Sequence, residues 1–275
     1  MNQRNQEKSE SKMNSASRKF AVITGASTGI GRKLAEEFAS HKYDLLLCSN
    51  EVEIVEVAHE IEAGGVTAKP VRADLATSKG VETLYAAIQA MGRPVDALVM
   101  NAGVGVGGDF VRENKLEDEI NLIALNITSV VHLSKLVLPK MVARGEGRVL
   151  ITSSIAALMP GPFYATYAAS KSFLLSFSEA LFNELRDTGV TVTALMPGAT
   201  DTEFFARAGM EQTKAGEAAK DDPTQVAKQA FEAMMAGEDH VIAGAMKNKF
   251  QGFMTKFLTQ QQLADLQREQ VKPRH

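Results

Sequence analysis

The chain has 275 residues, is 45% hydrophobic and carries a net charge of −3, so it has enough apolar material for a sizeable core and no electrostatic reason to bind nucleic acid. Its one cysteine, Cys48, excludes an internal disulfide and a cysteine-rich zinc site, which fits a reducing, cytoplasmic setting, and no metal is expected. No apolar run reaches the length of a membrane span, so no integral membrane segment is expected.

Residues 1 to about 18 are polar, with no apolar centre, so they are neither a secretory signal nor a packing segment. They read as a disordered tail ahead of a single domain over residues 19–275. Lys19 to Thr24 is a short apolar run and predicts a buried strand. Gly25-Ala-Ser-Thr-Gly29-Ile-Gly31 follows, then a helical spacing from Arg32 to Ser40. Strand, glycine turn and helix in that order make a phosphate site, because glycines permit close backbone approach and the helix N-terminus offers free N–H groups. The spacing is Gly-x-x-x-Gly-x-Gly, not Gly-x-Gly-x-x-Gly.

A second strand runs from Tyr43 to Ser49 and ends at Ser49-Asn50. An acid at that point would read a free ribose hydroxyl and select NAD. None stands there before Glu51, and Arg32 and Lys33 are near in sequence, so the reading leans to NADP. A helix from Glu51 to Ala63 stops at Gly64-Gly65. Val66 to Arg72 is a third strand ahead of Asp74-Leu75, and Lys79 to Met91 a third helix. Val95 to Met100 is a fourth strand, opening into Asn101-Ala102-Gly103. Strands alternating with helices predict a parallel sheet covered on both faces.

Leu116 to Ala143 is helical and is expected to break or kink near Pro139. Asn126 lies within it among apolar neighbours, so its amide needs partners: a satisfied core amide or a functional one. Arg148 to Thr152 is the fifth strand and delivers Ser153 and Ser154 to its carboxyl end, where ligands of open α/β sheets bind. Tyr164 to Arg186 is a helix, and Val190 to Met196 a sixth strand followed by Pro197-Gly198-Ala-Thr200-Asp-Thr202. Glu203 to Asp222 is a long, weakly periodic loop of the kind that covers a site. Asp222-Pro223 opens a helix through Met235, and His240 to Ala243 is a last strand. From Met246 the spacing of Phe250, Phe253, Met254, Phe257 and Leu258 predicts an amphipathic helix, packed on its own domain or a partner subunit, or else lying on a membrane.

On the helix after the fifth strand, Tyr167 and Lys171 form an i, i+4 pair. Tyrosine's ordinary pKa of about 10 is too high for a base at neutral pH. An ammonium beside it favours the phenolate by roughly one to three pK units. With Ser154 presenting a hydroxyl, the three read as acid/base chemistry on a carbonyl or an alcohol. Alone, the pair also suits a helix with one half-buried tyrosine and one solvated lysine.

The ordered set of motifs resembles the short-chain dehydrogenase/reductase family in its typical single-domain form, over roughly residues 19 to 245. Thr24-Gly25-x-x-x-Gly29-Ile30-Gly31, including Ser27 and Thr28, resembles the cofactor loop. Asp74 and Leu75 resemble the adenine pair, and Asn101, Ala102 and Gly103 the segment closing the fourth strand. Pro197 and Gly198, with Thr200 and Thr202, resemble the segment beside the nicotinamide amide. Asn126, Ser154, Tyr167 and Lys171 resemble the catalytic tetrad.

The resemblance implies a doubly wound Rossmann-like sheet of about seven strands in a single domain. It implies an NADP (or NAD) cofactor, with Ser49 and Asn50 at its ribose. Tyr167 would be the general acid or base, Lys171 would lower its pKa and hold the nicotinamide ribose, Ser154 would polarise the carbonyl, and Asn126 would hold a water in a proton relay. It implies a small-molecule carbonyl or alcohol substrate and a homodimer or homotetramer, formed through the helices at 116–143 and 164–186. The pocket walls are expected from Val104 to Phe110, Ile155 to Tyr164 and Glu203 to Asp222, including Val106, Phe110, Leu158, Met159, Phe163, Phe204 and Phe205, and they suggest a moderately hydrophobic ketone or secondary alcohol. Ala157, where many relatives have glycine, is a departure at the pocket edge. The alternatives are a non-catalytic dinucleotide sensor, and an isomerase or dehydratase on the same fold.

Overall fold

The apolar runs form strands because both of their faces are covered. In the computed structural model, which describes residues 18–272, β1 (Phe20–Thr24) and β2 (Asp44–Ser49) are buried along their whole length. β3 (Ala68–Arg72), β4 (Ala97–Met100), β5 (Gly147–Thr152), β6 (Val190–Pro197) and β7 (His240–Ala243) complete one seven-stranded sheet in the order β3-β2-β1-β4-β5-β6-β7. Every pairing is parallel. The order reverses between β1 and β4, which leaves a crevice at the carboxyl ends of those strands.

Helices α1 (Gly29–Ser40), α2 (Ile54–Ala63), α3 (Ser78–Ala90), α4 (Leu116–Ile123), α5 (Ser129–Arg144) and α6 (Ala165–Glu184) alternate with the strands. They are followed by two short turns, α7 (Phe204–Arg207) and α8 (Lys214–Glu217), then α9 (Pro223–Ala236), α10 (Met246–Met254) and α11 (Gln260–Val271). One core layer joins the sheet to α1, α2 and α9 through Leu34, Phe38, Ile54, Val226 and Phe231. The other joins it to α3, α5 and α6 through Leu84, Leu133, Val137 and Leu174. Asp222 caps α9 by accepting from the Thr224 N–H, with Pro223 in the first turn. The tail expected over residues 1–18 lies, but for Arg18, outside the described residues.

The break expected near Pro139 is not found. α5 continues through it, because one missing N–H removes one bond from a 16-residue helix held along its inner face by Leu133, Val137, Leu138 and Met141. The irregularity lies earlier, at a π-helical turn over Ala124–Thr128 that carries the fully buried Asn126. By length and composition the continuous helical stretch Leu116–Arg144 could cross a membrane. Its inner residues belong instead to the layer against the sheet.

Candidate active site

A cavity of about 760 Å³ opens at the reversal point, lined by the β1–α1 loop and the ends of β2 to β6. That volume suits a cofactor and a small molecule together. Every residue expected at the cofactor lines it: Gly25, Ser27, Thr28, Gly29, Ile30, Gly31, Ser49, Asn50, Asp74, Leu75, Asn101, Ala102, Gly103, Pro197, Gly198, Thr200 and Thr202. Ser154, Tyr167 and Lys171 line it as well; Asn126 does not.

The loop after β1 is shaped for close approach. Gly25 has φ +66°, and a Cβ on Gly31 would stand 1.9 Å from the Gly25 carbonyl oxygen. Thr28, the N-cap of α1, makes no side-chain cap bond, and the first turn carries no acid. The leading N–H groups of α1 are therefore free of side-chain caps beside a glycine cradle, which fits a pyrophosphate. Thr24 braces the loop: its Oγ1 donates to the Val99 carbonyl and accepts from the Asn101 and Ala102 N–H groups. Asn101 Nδ2 reaches the Thr24 and Gly25 carbonyls at 3.3 Å, and its Oδ1 accepts from Thr152 Oγ1 at 3.2 Å. Asn101 thus ties β1, β4 and β5 together under the cradle.

At the end of β2 the two basic residues behind the lean to NADP are turned away. Arg32 pairs with Glu36 and Glu60, Lys33 pairs with Glu36 at 2.7 Å, and neither lines the cavity. The charged groups that line it include Glu51 and, unforeseen in the sequence, Arg207 of α7, besides Asp74 and Glu203. Glu51 accepts from the Ser27 hydroxyl and pairs with Arg207 at 2.6 Å, while Ser27 and Ser49 lie 3.0 Å apart. Arg207 also bonds Glu203. The loop after β6 is thereby anchored to the end of β2.

The reacting end is built by β5 and α6. Ser154 accepts from the Ala156 N–H and lies 3.4 Å from the Pro197 carbonyl. Ser153 donates to the Lys171 carbonyl at 2.7 Å and fixes α6 against β5. Lys171 Nζ donates to the Thr152 carbonyl at 2.8 Å and stands 5.6 Å from the centre of the Tyr167 ring. Burial pushes the Tyr167 phenol up to about 12, against an opposing interaction with the Ser154 hydroxyl. Burial also lowers Lys171 from 10.5 to about 8. The expected lowering of Tyr167 by Lys171 does not appear here: burial sets the direction, and Ser154 is the group that opposes it. Tyr164 is no substitute. Its hydroxyl donates to Gln267 Oε1 at 3.0 Å, and burial pushes its pKa up further still.

Both N–H groups of the Asn126 amide are used. Its Oδ1 accepts from the Val104 N–H at 2.9 Å, and its Nδ2 donates to the Val104 carbonyl and to Ser170 Oγ, each at 3.0 Å. The side chain therefore positions the 103–104 segment and α6, with one lone pair of its Oδ1 left over. Gly103 provides the room nearby, since a Cβ there would meet Asn126 Oδ1 at 3.1 Å and Lys171 Nζ at 3.5 Å.

The substrate side combines expected and unexpected walls. Val104, Ile155, Met159, Phe204, Phe205 and Met210 line it, with the Phe204 ring 5.1 Å from that of Tyr167. Val106, Phe110, Leu158 and Phe163 do not, and neither does Ala157, whose carbonyl accepts from Ser172. Phe110 points to solvent and Phe163 packs under the Arg268 guanidinium. The far wall comes instead from α11, through Leu263, Leu266, Gln267 and Val271, held by the Tyr164–Gln267 bond. Burial pushes the Cys48 thiol up to about 12, so it is an inert part of the wall. Among the described residues no histidine, cysteine or acidic cluster is placed to hold a metal.

A sequence-family model described as short chain dehydrogenase matches residues 19–213. The mouse (Mus musculus) 17-beta-hydroxysteroid dehydrogenase type 3 is 36% identical over 200 residues, 71% of this chain and 64% of that protein. Among solved structures, a short-chain dehydrogenase from Sphingobium yanoikuyae in complex with NADPH is 30% identical, with TM-score 0.75 over 82% of this chain and 87% of that one. A short chain dehydrogenase/reductase from Burkholderia phymatum in complex with NAD is 27% identical, with TM-score 0.79 over 94% of this chain and 98% of that one.

Proposed function

The chain belongs to the short-chain dehydrogenase family, and from that premise we propose that it moves a hydride between a nicotinamide dinucleotide and a moderately hydrophobic ketone or secondary alcohol. One observation carries the reading: Ser154, Tyr167 and Lys171 line the same cavity as the glycine cradle at the head of α1. The bound dinucleotide supplies or accepts the hydride.

The chain's own groups do the rest. Gly25, Gly29 and Gly31 with the first turn of α1 hold the pyrophosphate. Ser154 donates to the carbonyl oxygen and stabilises the charge that builds there. Tyr167, kept protonated by burial, gives its proton to the same oxygen as the alcohol forms. The Lys171 ammonium, held at Thr152, stabilises the phenolate left behind. The matrix thus prepares the proton-donating state, which suits reduction. The apolar walls from Met159, Phe204, Phe205 and α11 support the substrate class.

The choice between the two dinucleotides turns on the Glu51–Arg207 pair. A free 2′-hydroxyl gains a carboxylate acceptor in Glu51; a 2′-phosphate gains Arg207 and meets Glu51 as a like charge. Both forms are taken as cofactors, with that pair setting the ratio. Self-association through α4 and α6, which expose Leu116, Ile120, Ile123 and Phe173, gives a homodimer or homotetramer.

The test is a panel of ketones and secondary alcohols with NADH, NADPH and their oxidised forms, followed by nicotinamide absorbance and product analysis. Turnover with stoichiometric change in the nicotinamide supports the reading. Binding without turnover points to a sensor, and product formation without net change in the cofactor points to an isomerase or dehydratase.

A further inference from the structure

The segment that borders the cavity from the C-terminal side is built inside out. α10 faces the domain with Asn248 and Gly252, its two buried residues. Asn248 Nδ2 donates to Asp221 Oδ2 at 2.6 Å and to the Ala243 carbonyl at 2.9 Å. At Gly252 a Cβ would stand 2.7 Å from Ile242 Cδ1. The inner face is therefore fixed by a polar residue and a small one, and the helix cannot roll its aromatic side inward. The aromatic side faces out: Met246, Phe250, Phe253 and Phe257 are 76, 64, 55 and 67% exposed. Phe253 and Phe257 meet edge to face at 5.0 Å. An apolar helix face packed on its own domain, one of the arrangements expected from the sequence, is not what forms.

Two further facts say what covers this patch. From Gly244 to Thr259 the chain has three lysines, Lys247, Lys249 and Lys256, and no acid, within a protein whose net charge is −3. Lys247 Nζ is held on the Ala219 carbonyl at 2.8 Å, while Lys249 is exposed, and a second copy docking this segment on itself would bring like charge together with no carboxylate from the segment to offset it. An anionic surface meets no such conflict. In addition, Lys247, Gln251, Met254, Thr255 and Leu258 of the same segment line the cavity, so the aromatic patch adjoins the substrate's chamber.

We propose that α10 and the turn after it are a membrane-docking surface. Phe250, Phe253 and Phe257 seat in the headgroup and acyl boundary of a bilayer rich in anionic phospholipid, the exposed Lys249 lies among the headgroups, and the cavity draws an apolar substrate from the lipid. The chain then rests on the membrane without spanning it.

The test is co-sedimentation of the full chain with vesicles of phosphatidylcholine alone and of phosphatidylcholine with phosphatidylglycerol. The wild type should pellet with the anionic vesicles, less with the neutral ones, and less again in high salt. A variant combining Phe250→Ser, Phe253→Ser and Phe257→Ser should lower the partition coefficient by roughly tenfold or more. A variant combining Lys249→Glu and Lys256→Glu should lose the preference for anionic lipid. Circular dichroism and the fluorescence of bound NADH or NADPH check that both variants are folded. A wild type that stays in the supernatant with both vesicles, or binds both equally, overturns the proposal. So does self-association that the serine variant abolishes while no vesicle binds. Pelleting requires no turnover, so it is decided separately from the assignment of the reaction.

Discussion

Lys171→Met separates what the site needs for chemistry from what the fold would choose. Burial lowers this lysine from 10.5 to about 8. At about 1.4 kcal/mol per pK unit, a folded chain that keeps the ammonium at neutral pH carries roughly 3 kcal/mol of destabilisation. Methionine has a similar reach and removes that cost, but it leaves the Thr152 carbonyl without the donor now 2.8 Å away. An unmatched buried acceptor costs about 1–3 kcal/mol. The variant should therefore be more stable than the wild type by about 0–2 kcal/mol at neutral pH, while turnover falls about a hundredfold or more. The sign of the pH dependence follows from proton binding. The unfolded lysine keeps its proton up to 10.5 and the folded one only to about 8. Between those values the unfolded state binds more protons, so wild-type stability rises with pH. The advantage of the variant should be complete below pH 8 and fade toward 10.5. Tyr43, Cys48, Tyr164 and Tyr167 titrate in both proteins, and their contributions cancel in the comparison. Urea denaturation followed by circular dichroism at about pH 7 and about pH 9.5 reads both quantities. A variant less stable than the wild type at neutral pH, or an advantage that does not shrink at the higher pH, refutes the reasoning.

Three other substitutions probe the remaining parts. Gly31→Ala places a methyl 1.9 Å from the Gly25 carbonyl oxygen; it should cost about 1–3 kcal/mol of stability and weaken NADH and NADPH binding in a fluorescence titration. Ser154→Ala should lower kcat by about 10²–10³ with cofactor dissociation constants unchanged, and an unchanged kcat removes Ser154 from the reaction. Glu51→Gln should shift the ratio of dissociation constants toward NADPH and Arg207→Ala toward NADH; equal ratios in both variants and the wild type show that the pair does not read the ribose.

The fold was legible because its signal is repeated locally. Continuous apolar runs such as Phe20 to Thr24 and Leu45 to Cys48 can only be strands covered on both faces, and a helix lies between each pair. The glycine loop was legible because spacing alone fixes where backbone can approach a ligand. What escaped the sequence depends on direction or on distant contact. Arg32 and Lys33 lie next to the cradle in sequence but turn to Glu36 and Glu60, whereas Arg207 arrives from 156 residues past Glu51 to pair with it. The wall from α11 had no local signature, since a helix beginning Gln-Gln-Gln gives no hint that Leu263 and Val271 face a cavity. Pro139 drew attention as a helix breaker, yet the helix changes geometry at Asn126, whose amide partners lie on the 103–104 segment and α6. The chemical reading of Tyr167 and Lys171 took in their i, i+4 proximity but not how deeply both are buried, and burial sets the direction of both pKa values.

The central claim is that the Tyr167 hydroxyl exchanges the proton that accompanies hydride transfer. Tyr167→Phe, assayed with the best carbonyl substrate of the panel by nicotinamide absorbance and in parallel for cofactor binding by fluorescence, tests it directly. The account predicts a loss of turnover of about 10²–10⁴ with cofactor affinity nearly unchanged. Turnover retained at the wild-type level, in a variant that still binds the dinucleotide, would contradict it.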